Sequence, residues 1–239
     1  MNKVAWIAAA GLGVAAICAV AAAAVGVRAF HDNGLDLSLF DRQSCGASGA
    51  TATSRSFTWD GGDSVTVSVP SRIHYRRGSG DRVEVTGNPM ILSHLTLRDG
   101  KISLDCSLHH WHDAPIDITL PGREIHDYVI AGRADLDLQQ IQQDRLKIVI
   151  TGRAKVRADG KVDNLDIQMM GRGDTFAKDL IADNVKILIA GRGDIETSPI
   201  DDADITIMGR GDVSLYTEPK HLDTSIMGRG NIKHLANRI

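Results

Sequence analysis

From residue 125 to residue 235 short runs of alternating apolar and polar residues recur with a period close to twenty. The pair Gly-Arg starts at Gly132, Gly152, Gly171, Gly191, Gly209 and Gly228, at spacings of 20, 19, 20, 18 and 19 residues. Two residues before each glycine stand Ile130, Ile150, Met169, Ile189, Ile207 and Ile226; four residues after it come Leu136, Val156, Thr175, Ile195, Val213 and Ile232. Alternation with period two places these side chains on one face of a strand, with the mostly polar residues between them on the other. A repeat of this length cannot bury its apolar face alone, so successive copies must stack into one continuous aliphatic column. The pattern predicts an all-β fold, a parallel β-helix of six turns with coils of 19–20 residues, each marked by a Gly-Arg corner. The corner glycine, and the small residue two positions later, permit a sharp bend or a positive φ.

Upstream the periodicity fades, but strand signals persist. Val65, Val67 and Val69 alternate with Thr66 and Ser68 before Pro70. Ile73 and Tyr75 follow, and Arg77-Gly78-Ser79-Gly80 turns the chain into Val83-Glu84-Val85-Thr86. Asn88-Pro89 breaks that strand; Leu92, Leu95 and Leu97 come next, and Asp99-Gly100 signals a hairpin or corner before Ile102. Ile116, Ile118 and Leu120 alternate up to Pro121-Gly122.

The opening strands, with the repeated Ile-x-Gly-x-Gly-Asp-Ile/Val type of corner seen at Met208-Gly209-Arg210-Gly211-Asp212-Val213, resemble the auto-transporter adhesin head GIN domain family. The likeness covers roughly residues 57 to 235. It implies a right-handed parallel β-helix in exported bacterial proteins, with no established activity. The chain has no room for an autotransporter barrel, so the secretion route in that family's name does not carry over.

Ahead of this domain, residues 1–30 read as a hydrophobic helix, a signal-anchor or a signal peptide. No charged residue occurs from Val4 to Val27, a run long enough to span a bilayer. Lys3 on its N-terminal side favours a cytoplasmic N-terminus. This predicts a single-pass bacterial inner-membrane protein with its C-terminal domain in the periplasm; cleavage near Ala22-Ala23-Ala24 would instead give a secreted or periplasmic product. Cys18 is no lipoprotein site, because Ile17 precedes it where a small residue is needed. Residues 31–56, rich in Gly, Ser, Thr and Ala, read as a flexible linker. Cys45 and Cys106 are the only cysteines beyond the hydrophobic segment, and an oxidising compartment would let them pair; two free thiols are the alternative.

Charge narrows the functions open to the chain. Residues 1–30 hold two basic residues and no acid, leaving 25 basic and 30 acidic residues, a net of −5, on the rest. That excludes the overall electrostatic footprint of a nucleic-acid binder. Locally the repeat aligns charge: Arg133, Arg153, Arg172, Arg192, Arg210 and Arg229 follow the corner glycines, and two residues on come Asp135, Lys155, Asp174, Asp194, Asp212 and Asn231. On stacked coils these become an Arg ladder beside an Asp ladder, the two able to neutralise each other. Because Arg forks match carboxylate and phosphate, the arginines are candidates for binding an anionic envelope polymer or lipid head group. The bland alternative is a solvated, self-compensating corner kept by repeat duplication.

Arg-Gly-Asp occurs at 172–174, 192–194 and 210–212, but corner geometry already accounts for each residue type, so no cell-adhesion tripeptide is inferred. His109, His110 and His112 around Trp111 form a cluster that only an irregular loop would aim at one metal, and we read it as a polar loop. No metal or cofactor is expected. The function predicted is a non-enzymatic, envelope-tethered scaffold, adhesin-like or ligand-binding surface, with a polysaccharide or protein partner. The alternative is a carbohydrate-active lyase or hydrolase on a β-helix scaffold. Residues Lys233 to Ile239 are polar enough to cap the last coil in part.

Overall fold

The computed structural model describes residue 45, residues 49–107 and residues 115–235. The hydrophobic N-terminal segment, most of the 31–56 stretch and the His109–His112 cluster lie outside the described residues. Among the described residues no helix is long and apolar enough to cross a membrane.

The twenty-residue period becomes four long strands, β9 (Arg133–Ile150), β10 (Arg153–Met169), β11 (Arg172–Ile189) and β12 (Ile195–Ile207). Each runs parallel to the next with a one-coil offset. Val156 faces Leu136 on one side and Thr175 on the other, and Ile167 stands between Ile148 and Ile187. In β9 Ala134, Leu136 and Leu138 are buried, then the phase slips, and Ile141, Leu146, Ile148 and Ile150 continue the core. The slip is the second bend of the coil. It falls at Gln140, with φ at 56°, and at Gly160, with φ at 123°, where the pairing of β9 with β10 shifts register. An extra unpaired residue bends the strand and turns the following side chains back inward. The result is a parallel β-solenoid of about five turns. Six Gly-Arg corners delimit five complete turns, so the expected six turns are corrected to five.

Preceding this stack, β2 (Ser64–Val67) and β3 (Ser71–Arg76) form a coil of the same design. Val67 pairs with Ile130 of β8 (Asp127–Ile130), and Ile73 pairs with Leu136. On its other side lie β6 (Lys101–Leu104) and β7 (Ile116–Thr119), where Val67 meets Ile102 and Ile73 meets Ile118. Residues 64–76 are thus sandwiched between two coils that both come later in the chain.

Antiparallel strands close this end. β4 (Arg82–Thr86) pairs with β7, β1 (Ser54–Thr58) with β4, and β5 (Leu95–Arg98) with β6. The hairpin β5–β6 turns at Asp99 and Gly100, whose φ values of 49° and 71° suit a two-residue turn between twisted strands. Leu92 is on no strand: a one-turn helix, α1 (Pro89–Ser93), buries it with Ile91, and the Asn88 side chain caps the start by accepting from the Met90 N–H. Arg55 donates to the carbonyls of Leu92 and Leu95, fastening α1 to β1. Because β1 begins at Ser54, the expected linker boundary at residue 56 falls inside a strand. Cys45 and Cys106 are bonded, with Cα atoms 5.0 Å apart, and the Cys45 N–H donates to the Ser107 carbonyl.

Among the described residues the C-terminal end is open by comparison. β13 (Val213–Leu215) and β15 (Ile232–His234) continue one leg of the stack, and β14 (His221–Ile226) the other. Every residue of β14 is exposed, including Leu222 and Ile226. Lys233 and His234 belong to β15 rather than lying over β14, so among the described residues the expected partial cap does not cover that strand.

Candidate functional site: an arginine row between two grooves

Stacking brings all six corner arginines into register. Arg133 pairs with Arg153 and Arg153 with Arg172 along the strands, and bridges join Arg172 to Arg192, Arg192 to Arg210, and Arg210 to Arg229. Main-chain bonds fix the spacing. The Arg172 N–H donates to the Gly152 carbonyl at 2.9 Å, and Arg192 and Arg210 repeat this to Gly171 and Gly191 at 3.0 Å. Successive arginines are therefore held about one strand spacing, 4.8 Å, apart.

The corner glycine is required by closeness more than by φ. A Cβ on Gly171 would lie 2.1 Å from the carbonyl oxygen of Gly152 one coil below. Two residues on, a Cβ on Gly173 would lie 1.8 Å from the Ala154 carbonyl oxygen. The same steric demand recurs at Gly191, Gly209 and Gly228. Of the corner glycines in both columns only Gly193 has a positive φ; of the two reasons expected for glycine here, a sharp bend or a positive φ, the sharp, closely stacked bend is the general one.

All six arginines are exposed. Among the described residues, none of their guanidinium groups has a hydrogen bond or ion pair. The Arg and Asp columns therefore do not neutralise each other by direct pairing. The aspartates are turned along the stack instead. Asp174 Oδ1 accepts the Asp194 N–H at 3.2 Å, Asp194 Oδ1 accepts the Asp212 N–H at 2.8 Å, and Asp212 Oδ1 accepts the Asn231 N–H at 3.0 Å. Lys233 Nζ lies 2.6 Å from Asp212 Oδ2. This hydrogen bond from Lys233, aided by the Asn231 N–H, holds the Asp212 carboxyl below the usual carboxylate range. Lys155, which interrupts the aspartate column, sits over the Phe176 ring, 5.2 Å from its centre.

The arginine side chains form a ridge with a groove on each side. One groove, of about 670 Å³, is lined by the five arginines from Arg153 to Arg229 and by the corner glycines that precede them, Gly152 to Gly228. The other, of about 600 Å³, has the five arginines from Arg133 to Arg210 on one wall and Asp135, Lys155, Asp174 and Asp194 among its lining.

Two further clusters lie elsewhere. His94 Nδ1 is 2.9 Å from Asp105 Oδ1, beside Cys106, but the disulfide leaves Cys106 no thiolate to offer a metal. His126, largely buried, stands between Asp63 at 3.4 Å and Asp144 at 3.2 Å, and Arg145 bridges Asp63 at 2.8 Å and Asp127 at 3.2 Å. Sequence reasoning missed this second cluster because no local motif joins Asp63 to residues 126–145; only stacking does.

The fold and this surface define a class: an all-β parallel solenoid, closed at its N-terminal end by antiparallel strands, carrying a repeated cationic corner. The chain belongs to the family described as "Putative auto-transporter adhesin, head GIN domain", whose sequence profile matches residues 63–219. Among solved structures, an adhesin described as putative from Bacteroides fragilis is similar at 18% identity and a TM-score of 0.56, over 76% of this chain and 95% of that one. This likeness bears on the fold alone. A second so described from Parabacteroides distasonis has 14% identity and a TM-score of 0.40, covering 78% and 98%. A lipid-binding protein, also described as putative and from the same species, has 17% identity and a TM-score of 0.38, covering 76% and 95%. The last two superpose too loosely to carry an argument. No match was found among curated proteins.

Proposed function

We propose that the chain is a non-enzymatic, adhesin-like binding surface of the bacterial envelope, tethered through its N-terminal segment in the inner membrane and facing the periplasm. Its row of arginines takes an anionic envelope polymer. The observation that carries this reading is the register of six exposed guanidinium groups without an acid partner. Like charges at strand spacing repel, and a multivalent anion relieves that repulsion while satisfying the Arg donors. Membership of an adhesin-named family supports the surface role. Asp174, Asp194 and Asp212 each hold a main-chain N–H through one carboxylate oxygen, which disfavours them as a catalytic acid and base.

The test is to titrate the purified full chain with acidic and neutral envelope polysaccharides and to analyse the mixtures for products. Saturable binding to the acidic polymers that weakens with salt, without products, is the expected result. Release of shortened chains would replace this reading with a carbohydrate-active enzyme, and no binding to any anion would overturn it.

A further inference from the structure

We infer that the occupant of the arginine row is a single extended acidic glycan with one carboxylate per sugar, lying along the solenoid axis on the glycine side of the ridge. This rests on the anion-binding reading above and names its ligand.

Three observations select this chemistry. The first is the period. The main-chain positions that carry the arginines stand in single file at about 4.8 Å, set by parallel strand pairing. A polymer with one charge per extended pyranose repeats on this scale, whereas polyphosphate carries its charges more densely. Arg forks reaching from the row can take the carboxylates of such a chain edge-on.

The second is the asymmetry of the flanks. On one side of the ridge the groove wall carries Asp135, Asp174 and Asp194, interrupted only by Lys155, so that its excess of acids repels a polyanion. On the other side the outward positions one and three residues before each corner glycine carry no charge at all. They include Val149, Met170, Leu188 and Met208, all partly exposed. A strip of this kind accepts the C–H faces of sugar rings, which a polyphosphate lacks. A flat anionic bilayer would press against the aspartate column as well as the arginines, so one chain fits this surface better than a plane of charge.

The third is the row's length. Ser71 pairs with Ala134, so the residue that would continue the row beneath Arg133 is Pro70, which carries no charge. The row therefore runs from Arg133 to Arg229, six sites and no more among the described residues. Linked sites add by effective concentration as long as the ligand spans them, so affinity must climb with chain length up to about six sugars and then level off.

The experiment measures binding of labelled oligogalacturonates of graded length to the full chain by fluorescence anisotropy, with neutral oligosaccharides, polyphosphate and anionic vesicles as comparators. Expected are affinities that rise to about the hexamer and flatten beyond it, with tenfold or greater weakening in Arg192→Gln and in Met208→Glu, which puts an acid on the glycine side. Ser214→Glu, an outward substitution on the aspartate side, should leave affinity within twofold; circular dichroism and the unfolding midpoint verify that each variant folds. An affinity indifferent to length, equal loss from Met208→Glu and Ser214→Glu, or tighter binding to polyphosphate or vesicles would overturn the assignment while leaving anion binding intact. Failure to bind any anion would remove the reading beneath it.

Discussion

The carboxylate of Asp194 accepts the main-chain N–H of Asp212, one coil further on, at 2.8 Å. Equivalent positions of neighbouring coils are thereby joined side chain to main chain, and the link repeats from Asp174 to Asp194 and from Asp212 to Asn231. Removing one acceptor leaves a corner N–H unpaired. Asp194→Ala should lower unfolding free energy by about 1 kcal/mol, and Asp194→Asn, which keeps a carbonyl acceptor, by less. Denaturant unfolding of the variants measures both. Equal losses would show that charge rather than the acceptor matters there.

The corner glycines make a sharper prediction. Gly171→Ala sets a methyl group 2.1 Å from a main-chain oxygen that is itself hydrogen-bonded, so neighbouring coils must part. The expected loss is about 3 kcal/mol, the upper range for overpacking. Gly78→Ala, whose Cβ would meet only the Arg76 carbonyl oxygen at 4.0 Å, should stay within about 0.5 kcal/mol of the parent. Thermal melts of the two variants side by side check the contrast.

The Cys45–Cys106 bond spans a sequence separation of 61 residues and ties the segment before β1 to the chain just after β6. In the chain-entropy account a loop of that size contributes about 4 kcal/mol. Cys45→Ser, or reduction of the parent, should lower the urea midpoint markedly, and reduction should leave the Cys45→Ser variant unchanged. A midpoint unmoved by either would show that the crosslink contributes nothing.

Acid should loosen the last coil first. The Asp212 carboxyl is held below its ordinary range by Lys233 and Asn231. A carboxyl depressed in the folded state contributes its full stabilisation above the unfolded pKa and loses it as pH falls through the folded value. Hydrogen exchange of β15 should therefore speed up below the ordinary carboxylate range, and in Asp212→Asn it should already be fast at neutral pH without that added step. An Asp212→Asn variant showing the parent's pH profile would remove this carboxyl from the explanation.

Much of the solenoid was legible along the chain because both its periods are local. Period two decides which side chains point inward, and the twenty-residue repeat decides which stack, so Ile148, Ile167 and Ile187 could be aligned from sequence. The Asp99-Gly100 turn was equally readable, since few residues tolerate its backbone. The order of the first coils was not. Nothing local tells β2 and β3 to lie between β6–β7 and β8–β9, because that arrangement depends on pairings across tens of residues. The fate of the charges was hidden for a related reason: sequence placed Arg and Asp in adjacent columns. Only the direction of the corner N–H groups along the stack turned the aspartates onto the main chain, leaving Arg172, Arg192 and Arg210 without acid partners.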